Sequence, residues 1–324
     1  MAWQVGAMLR ARTLCRSDSF NLVHHITWGT FRFPSFMGFL GRPFVMGPVG
    51  GGETAPLRLI KYLPLKEQIK EVLRSLFIAT ARIDPLLRLS LKKADIILCK
   101  TDETANALPV VRGPKVMVAR EIGAPKSLRV KKKYGEDGTI SLLYAGRLVG
   151  WKGVHLAVRA VALANLRGVD ATLTIIGDGP LHKYLKTLAL DLNLGDRVTF
   201  RGHLPQKDLL DCYHQSEVFL FPSMHDSSGN VVVEALSRGL PVICLDLGGP
   251  KYFVNTDCAR VIPCVDVDVD QICILLADRI VELAKNTTLR AAMSIAAFEQ
   301  AESLEWSTQV SRAYELILSS GICK

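Results

Sequence analysis

Two acids and two cations at fixed spacings are the residues of this sequence best suited to chemistry. Asp226 and Glu234 have seven residues between them, and Ser227, Ser228 and Gly229 stand where a helix opens. At such an opening the backbone N–H groups lack partners and the positive end of the helix dipole faces outward, which attracts an anion, phosphate above all. A carboxylate on each side accepts hydrogen bonds from hydroxyls, so a phosphate flanked by polyols, as in a nucleotide sugar, fits the pattern. The competing reading is that Glu234 pairs with Arg238 one turn on. Arg147 and Lys152, in YAGRLVGWKG, provide the opposite sign. A departing nucleoside diphosphate gathers negative charge that paired cations stabilise in place of a metal; the plain alternative is two solvated side chains of a loop.

Strand ends must hold these residues. The run EVFLFPS, a helix from about Gly229 to Arg238, a stop at Gly239 and the run PVICLDL read as strand, helix and strand. That is one βαβ unit whose loop opens at the carboxyl edge, where open α/β sheets bind ligands. The alternation runs back through TISLLYAGR, a helix over 152–167, ATLTIIGDG, a helix over 180–192, RVTFRGH and a helix over 206–214. It predicts a parallel, doubly wound α/β sheet with its strand-end loops on one edge. These loops carry Gly146, then Gly177 and Gly179, then Arg201, His203 and Leu204, and lastly Gly248 and Gly249. Each is otherwise a tight turn that needs glycine.

The N-terminal part reads as a strand in NLVHHITWG ending at His24 and His25, a short helix in FPSFMGFLG, and a strand in RPFVMG followed by PVGGGETAP. Gly50, Gly51 and Gly52 either let backbone approach a ligand or another domain, or form a flexible surface loop. From Leu57 to Lys93 apolar residues recur at helical spacing, with a break at Pro85 and a basic polar face that includes Lys66, Lys70, Arg82 and Arg88. Such a face suits an anionic membrane surface, or is simply solvated. ADIILCK and KVMVA are further strands, Ala124 to Gly138 has the composition of a linker, and Val269 to Ser319 is helical by period.

The string Asp226, seven residues, Glu234, then Ala235, Gly239, Pro241 and Val242 resembles the donor-binding segment of the retaining glycosyltransferases of family 4, which have the GT-B fold. Asp226 stands where that family usually has Glu. The likeness is fullest over Ser141 to Pro250, extends over Asn21 to Ala119 and stops before Phe20. It implies two Rossmann-like domains with parallel sheets: an incomplete acceptor-side domain over 21–123, a linker over 124–138, a donor domain over 139–300 and a terminal helix over 301–324 that crosses back, with 1–20 outside the pattern. The implied catalytic residues are Arg147, Lys152 and Asp226, with His25 the candidate near the anomeric carbon. Those binding the donor are Gly146, Gly177, Gly179, Arg201, His203, Leu204, Ser228, Gly229, Asn230, Val231 and Glu234. Gly50, Gly51, Gly52 and Glu53 form an acceptor or interdomain loop.

The implied function is transfer of a hexose-type sugar, with retention, from a nucleotide-diphosphate sugar to a glycan or lipid-linked acceptor in cell-surface polysaccharide or glycolipid synthesis. No metal or other cofactor is implied, and Asp266-Val-Asp268 reads as a solvent turn. Other readings are an inactive donor-binding module or partner subunit, and an epimerase or phosphorylase on the same fold. A nicotinamide dehydrogenase is disfavoured, since no G-x-G-x-x-G follows a strand and opens a helix. The first glycine loop of the family is missing, so the chain is expected to be either an atypical transferase or a fragment whose start lies about 80 to 100 codons upstream, at roughly 30 residues per βα unit.

The rest of the composition is compatible with this. A chain of 324 residues, 49% hydrophobic and 22% charged, is a folded protein with room for two domains. Its net charge of +9 favours anionic partners such as nucleotide diphosphates, anionic lipid and nucleic acid, of which the motifs select the first. The eight cysteines are scattered, without a CxxC pair, and suit buried thiols in a reducing compartment. No run approaches the roughly 18 apolar residues of a membrane span. The N-terminus lacks the basic n-region and apolar core of a signal peptide. A cytoplasmic protein, peripheral on the inner face of a membrane, is the expectation.

Overall fold

The structure, a computed structural model, describes residues 2–18, 20–26, 29–109, 115–125 and 134–322. Thr27 and Trp28 of the first predicted strand, the centre of the predicted linker and Cys323 lie outside these. The chain divides into one unit of Met1–Glu53, Leu73–Glu121 and Ser307–Lys324, and a second of Thr54–Val72 and Ile122–Trp306.

The chain opens with α1 (Ala2–Ser17), a helix where the sequence shows no apolar period. Its Trp3, Val5, Leu9 and Leu14 are exposed and Gln4 is buried, so no inward apolar stripe marks it. Next come β1 (Val23–His25) and β2 (Phe44–Val49), then α2 (Leu65–Ala79) and α3 (Pro85–Lys92), β3 (Ile96–Cys99), α4 (Asp102–Ala107) and β4 (Val116–Val118). The four strands form a parallel sheet in sequence order. Pro85 starts α3 with its fixed φ, and Asp84 caps it by accepting the Leu86 and Leu87 N–H groups at 3.1 and 3.0 Å.

Helix α2 is turned inside out. Glu67 and Glu71, one turn apart, are buried, whereas Leu65, Ile69, Val72, Leu73, Leu76 and Phe77 are exposed. The 3.6-residue period puts the two sets on opposite faces, with the apolar one toward solvent.

The second unit has β5 (Thr139–Ala145), α5 (Val154–Leu166), β6 (Asp170–Ile176), α6 (His182–Asp191), β7 (Val198–Gly202), α7 (Gln206–Gln215), β8 (Val218–Phe221), α8 (Asn230–Ser237), β9 (Val242–Leu245), β10 (Ala259–Ile262), α9 (Val269–Ala284) and α10 (Thr287–Ser303). Its six strands are parallel, in the order β10-β9-β8-β5-β6-β7. Every residue of β8 and β9 is buried, as strands covered on both faces must be. The sequence reading missed β10, a four-residue strand interrupted by Arg260, which bonds Glu282 on α9. Asp268 caps α9 through the Gln271 N–H at 2.8 Å, which is the work of the Asp266-Val-Asp268 stretch.

Thr54–Val72 precedes the predicted linker yet groups with the second unit. Leu59, Ile60 and Leu63 enter that unit's core, Arg58 donates to the carbonyls of Cys264 and Val267, and the Tyr62 hydroxyl donates to Asp270 at 2.7 Å. The last helix, α11 (Trp306–Ser319), groups from Ser307 with the first unit.

Among the described residues the cysteines are free, all buried except the half-buried Cys15. Burial pushes the thiols of Cys244 and Cys273 up to about 12, which makes them poor thiolates.

Candidate functional site

Taken in chain order, the six-stranded sheet has the 3-2-1-4-5-6 order of nucleotide-binding sheets, and the order reverses between β5 and β8. Connections leave opposite faces on the two sides of such a point and open a crevice at the carboxyl edge. The loop after β5 carries Arg147 and Lys152; the loop after β8 carries Asp226 and leads into α8. They touch. Gly153 closes the first loop at φ +69°, and a Cβ there would stand 1.8 Å from the Pro222 carbonyl oxygen. The Met224 N–H donates to the Trp151 carbonyl at 2.8 Å. On the far side Gly248, at φ +63°, leaves room for the Asp226 carbonyl, 2.3 Å from where its Cβ would be.

The side chains of the two loops pair in two tiers. In the outer tier the Lys152 ammonium forms an ion pair with Asp226, both side chains 13% exposed. Lys152 also lies over the rings of Trp151 and Phe221, 4.5 and 5.0 Å from their centroids. Asp226 Oδ1 accepts the Ser228 N–H at 3.3 Å, which fixes the chain entering α8. In the inner tier His225 stacks on Trp151 with ring centroids 4.6 Å apart. Tyr144, wholly buried and stacked on Phe221, donates to the Arg147 carbonyl at 3.3 Å. Burial, then the Asp226 charge, push its hydroxyl well above the usual range.

Helix α8 begins after Gly229, whose φ of +78° turns the chain into it. Asn230 is exposed and Val231 half-buried at the start of the helix, where the opening amides lack the i−4 carbonyl of a helix interior. Glu234 follows one turn later, about 6 Å along the axis at 1.5 Å per residue. It lines a pocket of about 240 Å³ between α7 and α8, with Tyr213, Gln206, Arg238 and Trp306. Burial raises its carboxyl above the usual range, against the opposing pull of the Tyr213 hydroxyl, 3.5 Å away, and of Arg238. Glu234 and Arg238 form no ion pair among the described residues, so the arginine acts on it through its field alone.

The other loops line up beside these. Gly146 N–H donates to the Ile176 carbonyl at 2.9 Å and Gly177 N–H to the Gly202 carbonyl at 2.8 Å, so the loops bearing Gly146, Gly177 with Gly179, and Arg201 to Leu204 adjoin along the edge. Arg147, Arg201 and His203 are exposed.

Five predicted residues, His25 and Gly50 to Glu53, belong to the first unit, within the N-terminal stretch the sequence assigns them to. His25 is buried, with Nδ1 2.6 Å from the Ser35 hydroxyl, the packing role that its sequence also allows. Burial lowers its ring pKa and that of His24. Glu53, 1% exposed, is bonded to the Gly51 N–H, Thr101 and Thr104 at 2.9, 2.6 and 2.8 Å. In that loop the Gly51 N–H is held by Glu53, and Gly52 packs with its Cβ position 2.6 Å from Thr104 Cα. The sequence reading missed Trp151, His225, Tyr213, Glu67 and Glu71. The first two had the only signal, as immediate neighbours of Lys152 and Asp226.

Residues 127–300, more than half of the chain, match the family model described as glycosyl transferases group 1, and the chain belongs to that family. Its fold is GT-B. The lipopolysaccharide outer core galactosyltransferase WaaB, in its apo form, superposes with a TM-score of 0.66 at 13% identity, over 98% of this chain and 80% of that one. HepE of Anabaena in complex with UDP gives 0.61 at 15%, over 98% and 82%. Among curated proteins, 2-deoxystreptamine glucosyltransferase of Streptomyces kanamyceticus is 31% identical over 175 residues, covering 50% of this chain and 45% of the relative. The chain thus spans about half or less of the length of the curated relatives it matches. Among the described residues no helix is long and apolar enough to cross a membrane.

Proposed function

We propose that this chain is a retaining, metal-independent hexosyltransferase of family 4 that takes its sugar from a nucleotide-diphosphate donor and gives it to a glycan or lipid-linked acceptor, in cell-surface polysaccharide or glycolipid synthesis. The observation that carries this is the meeting of Lys152 and Asp226 at the switch point, beside the start of α8. Support comes from the relatives, one named for glucosyl transfer and one structure holding UDP.

Arg147 and Lys152 take the charge of the diphosphate, and the amides of Ser228 to Val231 bind its oxygens. Asp226 orients the donor sugar and Glu234 accepts the ribose diol, with Gly177, Gly179 and the 201–204 loop beside the nucleoside. The acceptor hydroxyl attacks the anomeric carbon on the face from which the diphosphate departs. The sugar–phosphate bond breaks, the new glycosidic bond forms, and the leaving phosphate oxygen takes the proton. Lipid-linked acceptors are met at an anionic membrane surface, a reading supported by the outward apolar residues of α2 and the charge of +9.

The test is calorimetric titration with UDP, then turnover of UDP-hexose in the presence of EDTA with the product anomer read by NMR. Retained configuration and undiminished rate in EDTA are expected; an inverted product or abolition by EDTA overturns the mechanism. A second reading is favoured by the first unit, where His25 and Glu53 are both engaged internally: a donor-binding module without turnover. Nucleotide-sugar binding with no product from any acceptor selects it.

A further inference from the structure

The two buried acids of α2 have no part in the proposed chemistry, yet they reach both loops that carry it. Glu71, 4% exposed, has Oε2 2.9 Å from His225 Nε2. This is a close approach of two polar atoms rather than an aligned hydrogen bond. Glu67, 5% exposed, accepts the Gly150 N–H at 3.3 Å and pairs with Lys70. Gly150 begins the turn Gly150–Lys152, and His225 immediately precedes Asp226. The two loops are also joined to each other: the His225 ring lies on the Trp151 ring, and Lys152 on Asp226. Dipeptide therefore faces dipeptide, Trp151-Lys152 against His225-Asp226, ring on ring and charge on charge. One turn of helix reaches both loops, Glu71 at the His225 ring and Glu67 at the Gly150 N–H. Desolvating two carboxylates is costly unless their contacts compensate, and an apolar residue at either site would pack at lower cost.

We propose that Glu71 and Glu67 are positioning residues of the donor site. Glu71 restrains His225, and Glu67 restrains the Gly150 turn, so that the loops after β5 and β8 keep the separation at which Lys152 and Asp226 meet. The effect on the donor rests on the functional reading above; the restraint of the loops does not.

The two parts are measured separately. Hydrogen exchange of the ligand-free protein is followed at peptides covering 147–153 and 222–228 in the wild type, Glu71→Ala and Glu71→Gln. Glu71→Ala is expected to speed exchange at least tenfold in both loops together, and Glu71→Gln, which keeps a polar group of the same size, to restore most of the protection. Turnover of UDP-hexose in Glu71→Ala is expected to show kcat lowered about tenfold with KM changed much less, because the donor still binds but Lys152 is misplaced. Wild-type exchange in both loops of Glu71→Ala overturns the proposal, as does faster exchange spread evenly over the whole second unit, which would be general destabilisation. A wild-type protein that binds no UDP overturns the donor reading instead, and the exchange result still decides the restraint. Where Glu71→Ala does not fold, His225→Phe, which keeps the stack and loses the polar contact, answers the same question by the same two measurements.

Discussion

Two glycine-bearing loops, each at the end of a parallel strand, dispose of their charges in opposite ways. The loop after β2 turns its acid inward: Glu53 is held by the Gly51 amide and by Thr101 and Thr104 at the start of α4. The loop after β5 exposes one cation, Arg147, and pairs the other, Lys152, with Asp226 from the next loop. In sequence they look alike, glycines beside a charged residue. The difference lies in what the neighbouring helix offers. The start of α4 brings two threonine hydroxyls that bond the Glu53 carboxylate, whereas the start of α8 brings an acid of its own, Asp226, which pairs with Lys152. A loop whose charges are satisfied internally holds the fold; one whose charges are left to be shared can hold a ligand.

The largest effect expected from that contrast is at Lys152. Lys152→Ala should lower turnover of a nucleotide sugar by a hundredfold to a thousandfold, about 3–4 kcal/mol of lost electrostatic stabilisation, with a smaller loss of unfolding free energy from the unpaired Asp226. Steady-state kinetics beside a urea melt would decide it, and a variant that loses stability in proportion to activity erases the distinction between the loops. At the closed loop the expectation is reversed. Glu53→Ala strands two buried hydroxyls and the half-buried Gly51 N–H and should cost about 3 kcal/mol of stability, read as a shifted urea midpoint, while UDP affinity stays within twofold.

The second unit was far more legible in the sequence than the first, for reasons that particular residues make plain. Alternating strands and helices gave the six-stranded sheet apart from β10, and Asp226, Ser228 and Lys152 do meet, because strand ends in a doubly wound sheet share one edge. The stack of His225 on Trp151 depends on how closely two loops approach, which no spacing encodes. In α2 the apolar period was visible, but periodicity says which residues share a face, not which face is buried, and here the buried face carries Glu67 and Glu71. The same limit hid Thr54–Val72, whose Leu59 and Leu63 read as ordinary helix residues and pack into the core of the second unit. A glycine run announces close approach without naming the neighbour, so Glu53 could not be distinguished from an acid offered to an acceptor.

The open loop also leads into a fully buried histidine, and this can be tested by acid. His155, in the first turn of α5, is fully buried, and neither ring nitrogen finds a partner among the described residues. Burial, with the Arg159 charge adding to it, lowers its pKa from 6.5 to about 3. The unfolded chain therefore binds the proton more readily, and the contribution present above pH 6.5 is lost as pH falls toward 3. At pH 5 the loss is about 2 kcal/mol, from 1.36 kcal/mol per pKa unit. His155→Leu should remove that part of the acid slope in urea midpoints taken between pH 7 and pH 5; an unchanged slope would mean that water reaches the ring.

Glu234 gives the smallest effect and the most direct opposition of stability to binding. Its carboxyl is raised by burial, so the folded state holds a proton more tightly than the unfolded chain does. Stability from this group is then greatest below its ordinary value of 4.5 and declines as pH rises through the raised one. At neutral pH the ionised, partly desolvated carboxylate is a liability to the empty protein, offset in part by Tyr213 and Arg238. Glu234→Gln should therefore raise the melting temperature of the ligand-free protein at pH 7, and the gain should vanish by pH 4, where both states of the wild type are protonated. If the carboxylate accepts a ribose diol, the same change should weaken UDP binding about fivefold to tenfold, roughly 1 kcal/mol for exchanging a charged hydrogen bond for a neutral one. Gains in both stability and affinity would remove Glu234 from the donor site; a gain in stability with a loss in affinity is what a group kept for its ligand, rather than for the fold, must show.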